Sequence, residues 1–119
     1  MNRLHLLLVD DRPELLRALT RVLRAAFHVT ASPGLAPAIR VLAVTSVDVV
    51  LSDYEMPDPG EGLWLLATTR ALSPTTRRLL MSGREGFEGE VETIAPGLVD
   101  LCLRKPFSAA EVIVAAGLR

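Results

Sequence analysis

Lysine is almost absent from this chain. Of its 13 basic residues only Lys105 is a lysine, and the other 12 are arginines. Arginine presents a planar fork of donors, whereas lysine presents a compact charge on a flexible stem. The single lysine therefore indicates a position that needs a point charge, such as contact with one small anion.

Cysteine, histidine and long apolar runs are scarce as well. One cysteine and two scattered histidines exclude an internal disulfide and a zinc cluster of the usual kind. No apolar run approaches the roughly 20 residues that span a bilayer, and the N-terminal stretch lacks the pattern of a signal peptide. We therefore expect a cytoplasmic protein with no membrane partner.

The chain also lacks an excess of charge of either sign. Thirteen basic and 14 acidic residues give a formal net charge of −1, so no bulk field attracts nucleic acid. The length of 119 residues, half of them hydrophobic, suits a single domain over residues 1–119 with one core.

Runs typical of buried strands alternate with segments of helical period along the chain. The helix beginning at Pro13 has its apolar face at Leu15, Leu16, Leu19, Val22, Leu23 and Ala26, and Ser32 before Pro33 is typical of a second helix start. This alternation predicts an α/β fold with a five-stranded parallel sheet covered by helices on both faces. Strands are predicted over 4–9, 27–31, 47–53, 76–82 and 98–104, helices over 13–26, 33–44, 62–72 and 87–95 and from Ser108 onward, and a loop over 54–61.

Polar residues stand where the predicted strands end. Asp10 and Asp11 follow the first strand, Asp53 ends the third, Ser82 ends the fourth and Lys105 follows the fifth. Ligands of open parallel sheets bind at this carboxyl edge. Converging carboxylates repel one another unless a hard cation joins them, and Mg²⁺ prefers such oxygen ligands. We therefore predict a magnesium site there, with Asp53 as a nucleophile toward phosphorus and with Ser82 and Lys105 on phosphoryl oxygens.

Each of these residues taken alone has a simpler interpretation. Asp10 and Asp11 would complement the dipole of the first helix, Ser82 would be a turn residue before Gly83, and Lys105 would be a solvated charge. Their shared position at strand ends is what favours a functional site.

Four ordered motifs resemble the receiver domains of two-component response regulators over essentially the whole chain. The matching pieces are Leu7-Leu8-Val9-Asp10-Asp11, Val49-Val50-Leu51-Ser52-Asp53-Tyr54-Glu55-Met56-Pro57, Met81-Ser82-Gly83 and Lys105-Pro106-Phe107.

The resemblance implies a flavodoxin-like sheet of order 2-1-3-4-5 and a phosphoacceptor at Asp53, supplied by a sensor histidine kinase or a phosphotransfer protein. It implies that Asp10, Asp11, Asp53 and the backbone carbonyl of Glu55 hold Mg²⁺. It further implies a cis peptide bond between Lys105 and Pro106. The family is not enzymatic beyond self-catalysed phosphotransfer and autodephosphorylation.

The chain departs from the family pattern at two places. Cys102 stands three residues before the lysine, where the family usually has an aromatic or histidine switch that acts with Ser82. A thiol cannot swing as a large ring does, and we favour plain strand packing for it over a redox role. The loop after Met56-Pro57 is one residue longer than usual, which displaces Gly62.

Residues around the predicted site suggest tuning and docking roles. Glu55 and Arg84 are expected to pair across the mouth of the site and to hinder water. Arg17, Arg21 and Arg24 form either a solvated helix face or a docking stripe for the kinase. An acidic patch and the face of helix 4, strand 5 and helix 5 would suit an output or a homodimer, and Trp64 is expected to be partly exposed. The acidic patch comprises Glu85, Glu88, Glu90 and Glu92.

Three other classes of protein share single features with this sequence. A phosphorylation-independent, receiver-like interaction module stays open because of Cys102. A haloacid-dehalogenase-like phosphatase would place its nucleophile first in an Asp-x-Asp motif, whereas this chain has Asp10-Asp11-Arg12. A dinucleotide or flavin site lacks support because Gly60-Glu61-Gly62 is only a fragment of a fingerprint.

Overall fold

The fold is described by a computed structural model that covers residues 3–117. Within that range, strands and helices alternate strictly along the chain, as the sequence predicts. The elements are β1 His5–Val9, α1 Pro13–Leu23, β2 His28–Ser32, α2 Leu35–Val44, β3 Val49–Asp53, α3 Pro59–Leu72, β4 Arg77–Ser82, α4 Phe87–Ile94, β5 Leu101–Arg104 and α5 Ala109–Ala115.

All strand pairs are parallel, and their order is β2-β1-β3-β4-β5. The predicted fold class and sheet order are therefore confirmed. The chain moves outward from β1 to β2 and then returns to the other side of β1 for β3. The carboxyl ends of β1 and β3 thus flank the point where strand order reverses, which is where open α/β sheets bind ligands.

Two apolar clusters, one on each face of the sheet, hold β1 and β3 in place. Leu7, Val50 and Phe87 belong to one cluster, and Leu6 and Leu51 belong to the other. Every residue of β1 and β3 is buried. Strands that are buried on both faces are fixed by packing, so the acids at their ends have defined positions.

The second helix begins later than its sequence signal indicates. Ser32 is the last residue of β2, and its hydroxyl donates a hydrogen bond to the carbonyl of Gly34 at 3.2 Å instead of capping a helix. Helix α2 begins at Leu35, so Pro37 falls within its first turn, where a missing N–H costs nothing. The prediction of Ser32 as N-cap and Pro33 as first helical residue is wrong.

The loop after β3 is shorter than predicted. The Asp58 side chain caps α3 by accepting a hydrogen bond from the backbone N–H of Gly60 at 3.1 Å, so the helix begins at Pro59 and not at Gly62. Residues 59–61 are therefore helical, whereas the sequence predicts a loop over 54–61.

The last strand is also shorter than its apolar run, because residues 95–98 form a turn. The backbone N–H of Leu98 donates to the carbonyl of Ala95 at 3.2 Å, and Gly97 adopts the left-handed region at φ 76°. Strand β5 begins only at Leu101.

The apolar face of α1 is narrower than the sequence predicts, because Val22, which is predicted to lie on that face, is 51% exposed.

The final helix is capped as the sequence predicts. The Ser108 hydroxyl accepts from the backbone N–H of Glu111 at 3.2 Å, and the Glu111 carboxylate accepts from the backbone N–H of Ser108 at 3.1 Å. Across residues 3–117, no helix combines the length and the apolar character needed to cross a bilayer.

Candidate functional site

Three carboxylates meet at the carboxyl edge of the sheet. Asp10 directly follows β1, Asp11 comes next, and Asp53 is the last residue of β3. One oxygen of each lies within 4.8 Å of the others. Asp10 and Asp53 are buried, whereas Asp11 is exposed at the rim. The structure therefore brings together the three acids that the sequence predicts.

Asp10 leaves one oxygen without a hydrogen-bond donor. Its Oδ1 accepts from the backbone N–H of Arg12 at 2.9 Å, but the buried Oδ2 has no such partner. The Lys105 ammonium lies 3.6 Å from Oδ2, and the Arg12 guanidinium lies on the other oxygen, with Nε 3.5 Å from Oδ1. An unsatisfied buried carboxylate oxygen is costly, and a hard cation shared by three carboxylates would satisfy it. Two features of the cluster thus fit Mg²⁺: its ligands are oxygens, and one of them, Asp10 Oδ2, lacks a hydrogen-bond partner.

Lys105 contacts the carboxylate of Asp53 directly. Its Nζ lies 2.8 Å from Asp53 Oδ1, and the Lys105–Pro106 peptide bond is cis. Burial raises the pKa of Asp53, while the hydrogen bond and charge of Lys105 lower it and the nearby Asp10 carboxylate raises it further. A cation at the cluster would act in the same direction as Lys105 and favour the ionised form of Asp53.

Ser82 lies beside Asp53 because β4 pairs with β3. Asp53 is in register with Met81, and the Ser82 carbonyl accepts from the backbone N–H of Lys105 at 2.9 Å. The Ser82 hydroxyl donates to Glu55 Oε1 at 2.9 Å and accepts from the backbone N–H of Arg84 at 3.0 Å. The hydroxyl is thus at the site, with its proton directed at Glu55.

Arg84 joins the rim of the site to α4. Its Nε donates to Glu55 Oε2 at 2.7 Å, so these two residues pair across the mouth. Its two terminal nitrogens donate to the two carboxylate oxygens of Glu90 at 3.0 and 3.1 Å. Hydrogen bonds from Arg84 and from Tyr54 lower the pKa of Glu90.

Tyr54 contacts both Arg84 and Glu90. Its ring is buried against Phe87, with the Arg84 guanidinium 5.6 Å from the ring centroid, and its hydroxyl donates to Glu90 Oε1 at 2.6 Å. Burial, followed by the hydrogen bond to Glu90, raises the pKa of Tyr54 to about 12. Sequence reasoning missed these partners, because Tyr54 is only part of a motif there and Glu90 only one of several surface acids.

The acids and bases border an open polar cavity of about 520 Å³. A cavity of this size and polarity admits a small anionic group together with the side chain that delivers it. Its lining comprises Asp11, Arg12, Asp53, Glu55, Gly83, Arg84 and Lys105.

Cys102 is half-buried on β5 and packs against the apolar cluster that contains Phe87. Burial, followed by the nearby carboxylates of Glu88 and Glu92, raises the pKa of its thiol to about 11. A thiol with a raised pKa is a poor nucleophile, in line with the packing role that we favour.

Alkylation of Cys102 should therefore be slow. At pH 8 a thiol of pKa about 11 carries roughly 100-fold less thiolate than one of pKa 9. We expect the native protein to react with iodoacetamide about 10-fold more slowly than the same chain in denaturant, because the greater nucleophilicity of the more basic thiolate offsets part of its lower abundance. Since Cys102 is the only cysteine, intact mass reports the reaction without ambiguity. Equal rates in the two conditions would show that the thiol is neither buried nor charge-repelled.

The arginines of α1 lie apart from the cavity. Arg17, Arg21 and Arg24 are exposed, and none of them forms an ion pair within residues 3–117. Trp64 on α3 is 63% exposed, as expected. The docking role of the arginines stays a prediction.

Comparison with known proteins shows the family of the chain. The family model described as the response regulator receiver domain matches residues 6–116. The transcriptional regulatory protein GlrR of Escherichia coli (strain K12) is 32% identical over 103 residues, which make up 86% of this chain and 23% of GlrR.

Solved structures agree as well. A response regulator receiver protein from Sinorhizobium medicae WSM419 is 30% identical, with a TM-score of 0.80 over 97% of this chain and 92% of that one. A structure described as adenylate cyclase from Rhodopirellula baltica is 28% identical, with a TM-score of 0.83 over 98% of this chain and 86% of that one.

The sheet order and the acidic cluster at its carboxyl edge fit the architecture of a receiver domain. The chain belongs to the family of response regulator receiver domains, which act in two-component signal transduction. It spans 23% of the length of the curated relative GlrR.

Proposed function

We propose that Asp53 is the residue that accepts the phosphoryl group, from a sensor histidine kinase or a phosphotransfer protein. The observation that carries this assignment is a buried carboxylate in hydrogen-bond contact with the only lysine of the chain, at 2.8 Å. Asp10 is paired with the Arg12 backbone and Asp11 is exposed at the rim. Asp53 is therefore the carboxylate held in one geometry at the floor of the cavity.

The reaction is the transfer of a phosphoryl group from a histidine nitrogen to a carboxylate oxygen. An oxygen of Asp53 forms a bond to phosphorus while the phosphorus–nitrogen bond of a phosphohistidine breaks. The bonding electrons stay on the imidazole nitrogen, which takes up a proton. Such transfers are catalysed mostly by positioning and by neutralising charge on the phosphoryl oxygens.

Asp10, Asp11 and Asp53, with the backbone carbonyl of Glu55, would hold Mg²⁺ in this proposal. Bound there, the ion supplies positive charge both to the acceptor carboxylate and to the phosphoryl oxygens. Asp10 and Asp11 act as ligands only, and Asp10 is oriented for that by the Arg12 backbone N–H.

Lys105 and Ser82 contact the phosphoryl group from the other side. Lys105 is already at Asp53 and can follow an oxygen of the transferred group as a point charge. Ser82 has one hydroxyl proton to donate, and that proton is directed at Glu55 before transfer. The pairing of Glu55 with Arg84 covers the mouth, where it hinders the water that would hydrolyse the acyl phosphate.

Two exposed surfaces support the proposals about partners. The exposed arginine stripe on α1 supports docking of the kinase or phosphotransfer protein beside that helix. The face formed by α4, β5 and α5 would carry an output contact or a homodimer. The chain names no output partner.

The assignment of Asp53 is tested by mass spectrometry of the intact protein after incubation with a small phosphodonor and Mg²⁺. We expect the wild type to gain one phosphoryl group and Asp53→Asn to gain none. Asp58→Asn is the matched control, because Asp58 is an exposed acid outside the cluster whose capping oxygen survives as an amide. A gain of mass in Asp53→Asn, or none in the wild type, would overturn the assignment.

A further inference from the structure

The hydroxyl of Ser82 has a single proton, which it can donate to only one of two acceptors at a time. The structure shows that proton donated to Glu55 Oε1, while the hydroxyl oxygen accepts from the backbone N–H of Arg84. A phosphoryl oxygen on Asp53 needs the same proton. Glu55 and the phosphoryl group therefore compete for one donor.

We propose that Glu90, on α4, is a positioning residue of the acceptor site, which acts through Arg84 and Glu55 to hold the Ser82 hydroxyl away from Asp53. This inference rests on the proposed function of Asp53. It assigns a role in phosphorylation to a residue that touches neither the acceptor nor the metal ligands.

The contacts that carry the proposal form one continuous chain. Glu90 receives two parallel hydrogen bonds from the terminal nitrogens of Arg84, the two-point geometry that orients a guanidinium best. The Nε–H of that guanidinium then points at Glu55 Oε2 at 2.7 Å. The other oxygen of Glu55 receives the Ser82 proton.

Tyr54 keeps Glu90 in place. Its hydroxyl donates to Glu90 Oε1 at 2.6 Å from a ring that is fully buried against Phe87. An exposed ion pair is usually weak because its side chains are free to move. Here a buried phenol anchors one end of the pair, so the Arg84–Glu90 contact is more than an ordinary surface salt bridge.

The coupling operates in both directions. If the chain of contacts stabilises the arrangement in which Ser82 donates to Glu55, it lowers the affinity of the site for a phosphoryl group. By reciprocity, an occupied site weakens the contacts of Arg84 with Glu90 and so loosens α4. Such a route needs no large ring at position 102, where this chain has Cys102.

The affinity for beryllofluoride in the presence of Mg²⁺, measured by calorimetry, tests the proposal. We expect Glu90→Gln to bind this phosphoryl mimic about 5-fold more tightly than the wild type, because the two-point ionic contact with Arg84 is lost. Glu92→Gln is the matched control, since Glu92 is an exposed acid of the same helix without an ion pair among the described residues. It should bind like the wild type.

A double-mutant cycle separates this role from a merely structural one. Arg84→Ala removes the guanidinium but keeps the backbone N–H that orients Ser82, and in that background Glu90→Gln should change the affinity no further. Tyr54→Phe, which removes only the hydroxyl, should shift affinity in the same direction as Glu90→Gln, so the test survives if Glu90→Gln does not fold.

Two results overturn the proposal. One is unchanged or weaker binding in both Glu90→Gln and Tyr54→Phe. The other is an equal effect of Glu90→Gln with and without Arg84. If the wild type itself binds no beryllofluoride, the proposed function of Asp53 fails, and the inference that rests on it falls as well. The wild-type measurement thus distinguishes the two failures.

Discussion

Asp10→Asn is expected to lose Mg²⁺ binding and, at the same time, to make the metal-free protein more stable. The variant removes one of three carboxylates whose oxygens lie within 4.8 Å. Loss of a ligand that binds the ion directly should lower the Mg²⁺ affinity by at least about 100-fold, because losing a residue that only hydrogen-bonds a metal ligand already costs up to about 100-fold. Calorimetric titration with Mg²⁺ measures this.

The gain in stability comes from removing a negative charge that destabilises the metal-free protein. Without Mg²⁺, the buried Asp10 carboxylate repels Asp53, and its Oδ2 has the Lys105 ammonium 3.6 Å away but no hydrogen-bond donor. An amide keeps the bond from the Arg12 backbone and relieves the repulsion, so we expect the free energy of unfolding to rise by on the order of 1–2 kcal/mol. Urea unfolding in chelator measures it, with Asp58→Asn as control. An unchanged Mg²⁺ affinity would contradict the site.

Gly62→Ala is expected to destabilise the protein by about 2–4 kcal/mol or more. A Cβ at position 62 would lie 2.6 Å from the carbonyl oxygen of Asp53 and 3.0 Å from that of Tyr54. Both are backbone atoms and cannot rotate aside. Helix α3 would have to move away from the end of β3, which would displace the acceptor, so phosphorylation should be impaired together with stability.

Gly89→Ala is the matched control for this substitution. Gly89 lies within α4, and a Cβ there meets nothing within 4 Å. Alanine should therefore stabilise the helix by roughly 0.5–1 kcal/mol, because it loses less backbone entropy on folding. Urea unfolding curves of the two variants should shift in opposite directions, and a Gly62→Ala protein as stable as the wild type would refute the close approach.

The buried strands and the acids that follow them could be predicted from the sequence for one physical reason. A strand packed on both faces must be a continuous apolar run, so its end is visible where the run stops at a carboxylate. Val49–Asp53 shows this most clearly, and Asp53 is where the sequence places it. The acidic cluster then follows from topology, because parallel strands end at the same edge.

Two of the element boundaries that the sequence misplaces depend on partners distant in sequence. Strand β5 is an edge strand whose pairing with β4 begins only at Leu79 and Leu101. Just before it, the Asp100 carboxylate accepts from the backbone N–H of Arg78 at 2.7 Å. The Ser32-Pro33 pair is compatible with either a helix start or a strand end, and the pairing of Ser32 with Val9 decides for the strand.

The polar contacts that run from Ser82 to α4 could be predicted from the sequence only in part, because most of them also join residues distant in sequence. The pairing of Glu55 with Arg84 was expected from their positions beside the acceptor and Ser82, and the two side chains do meet. The contacts of Arg84 with Glu90 depend on how α4 is set against the loop. Nothing in the pattern of acids on that helix distinguishes Glu90 from Glu88 or Glu92.

The identity of the phosphorylated residue is the central claim, and chemical trapping tests it most directly. Borohydride reduces an aspartyl phosphate to homoserine, so peptide mapping of the protein after treatment with phosphodonor, Mg²⁺ and borohydride locates the acceptor. We expect homoserine at position 53 alone, in the peptide that contains Tyr54 and Glu55. Homoserine at position 10 or 11, or an unmodified Asp53 in a protein that has gained a phosphoryl group, would contradict the account.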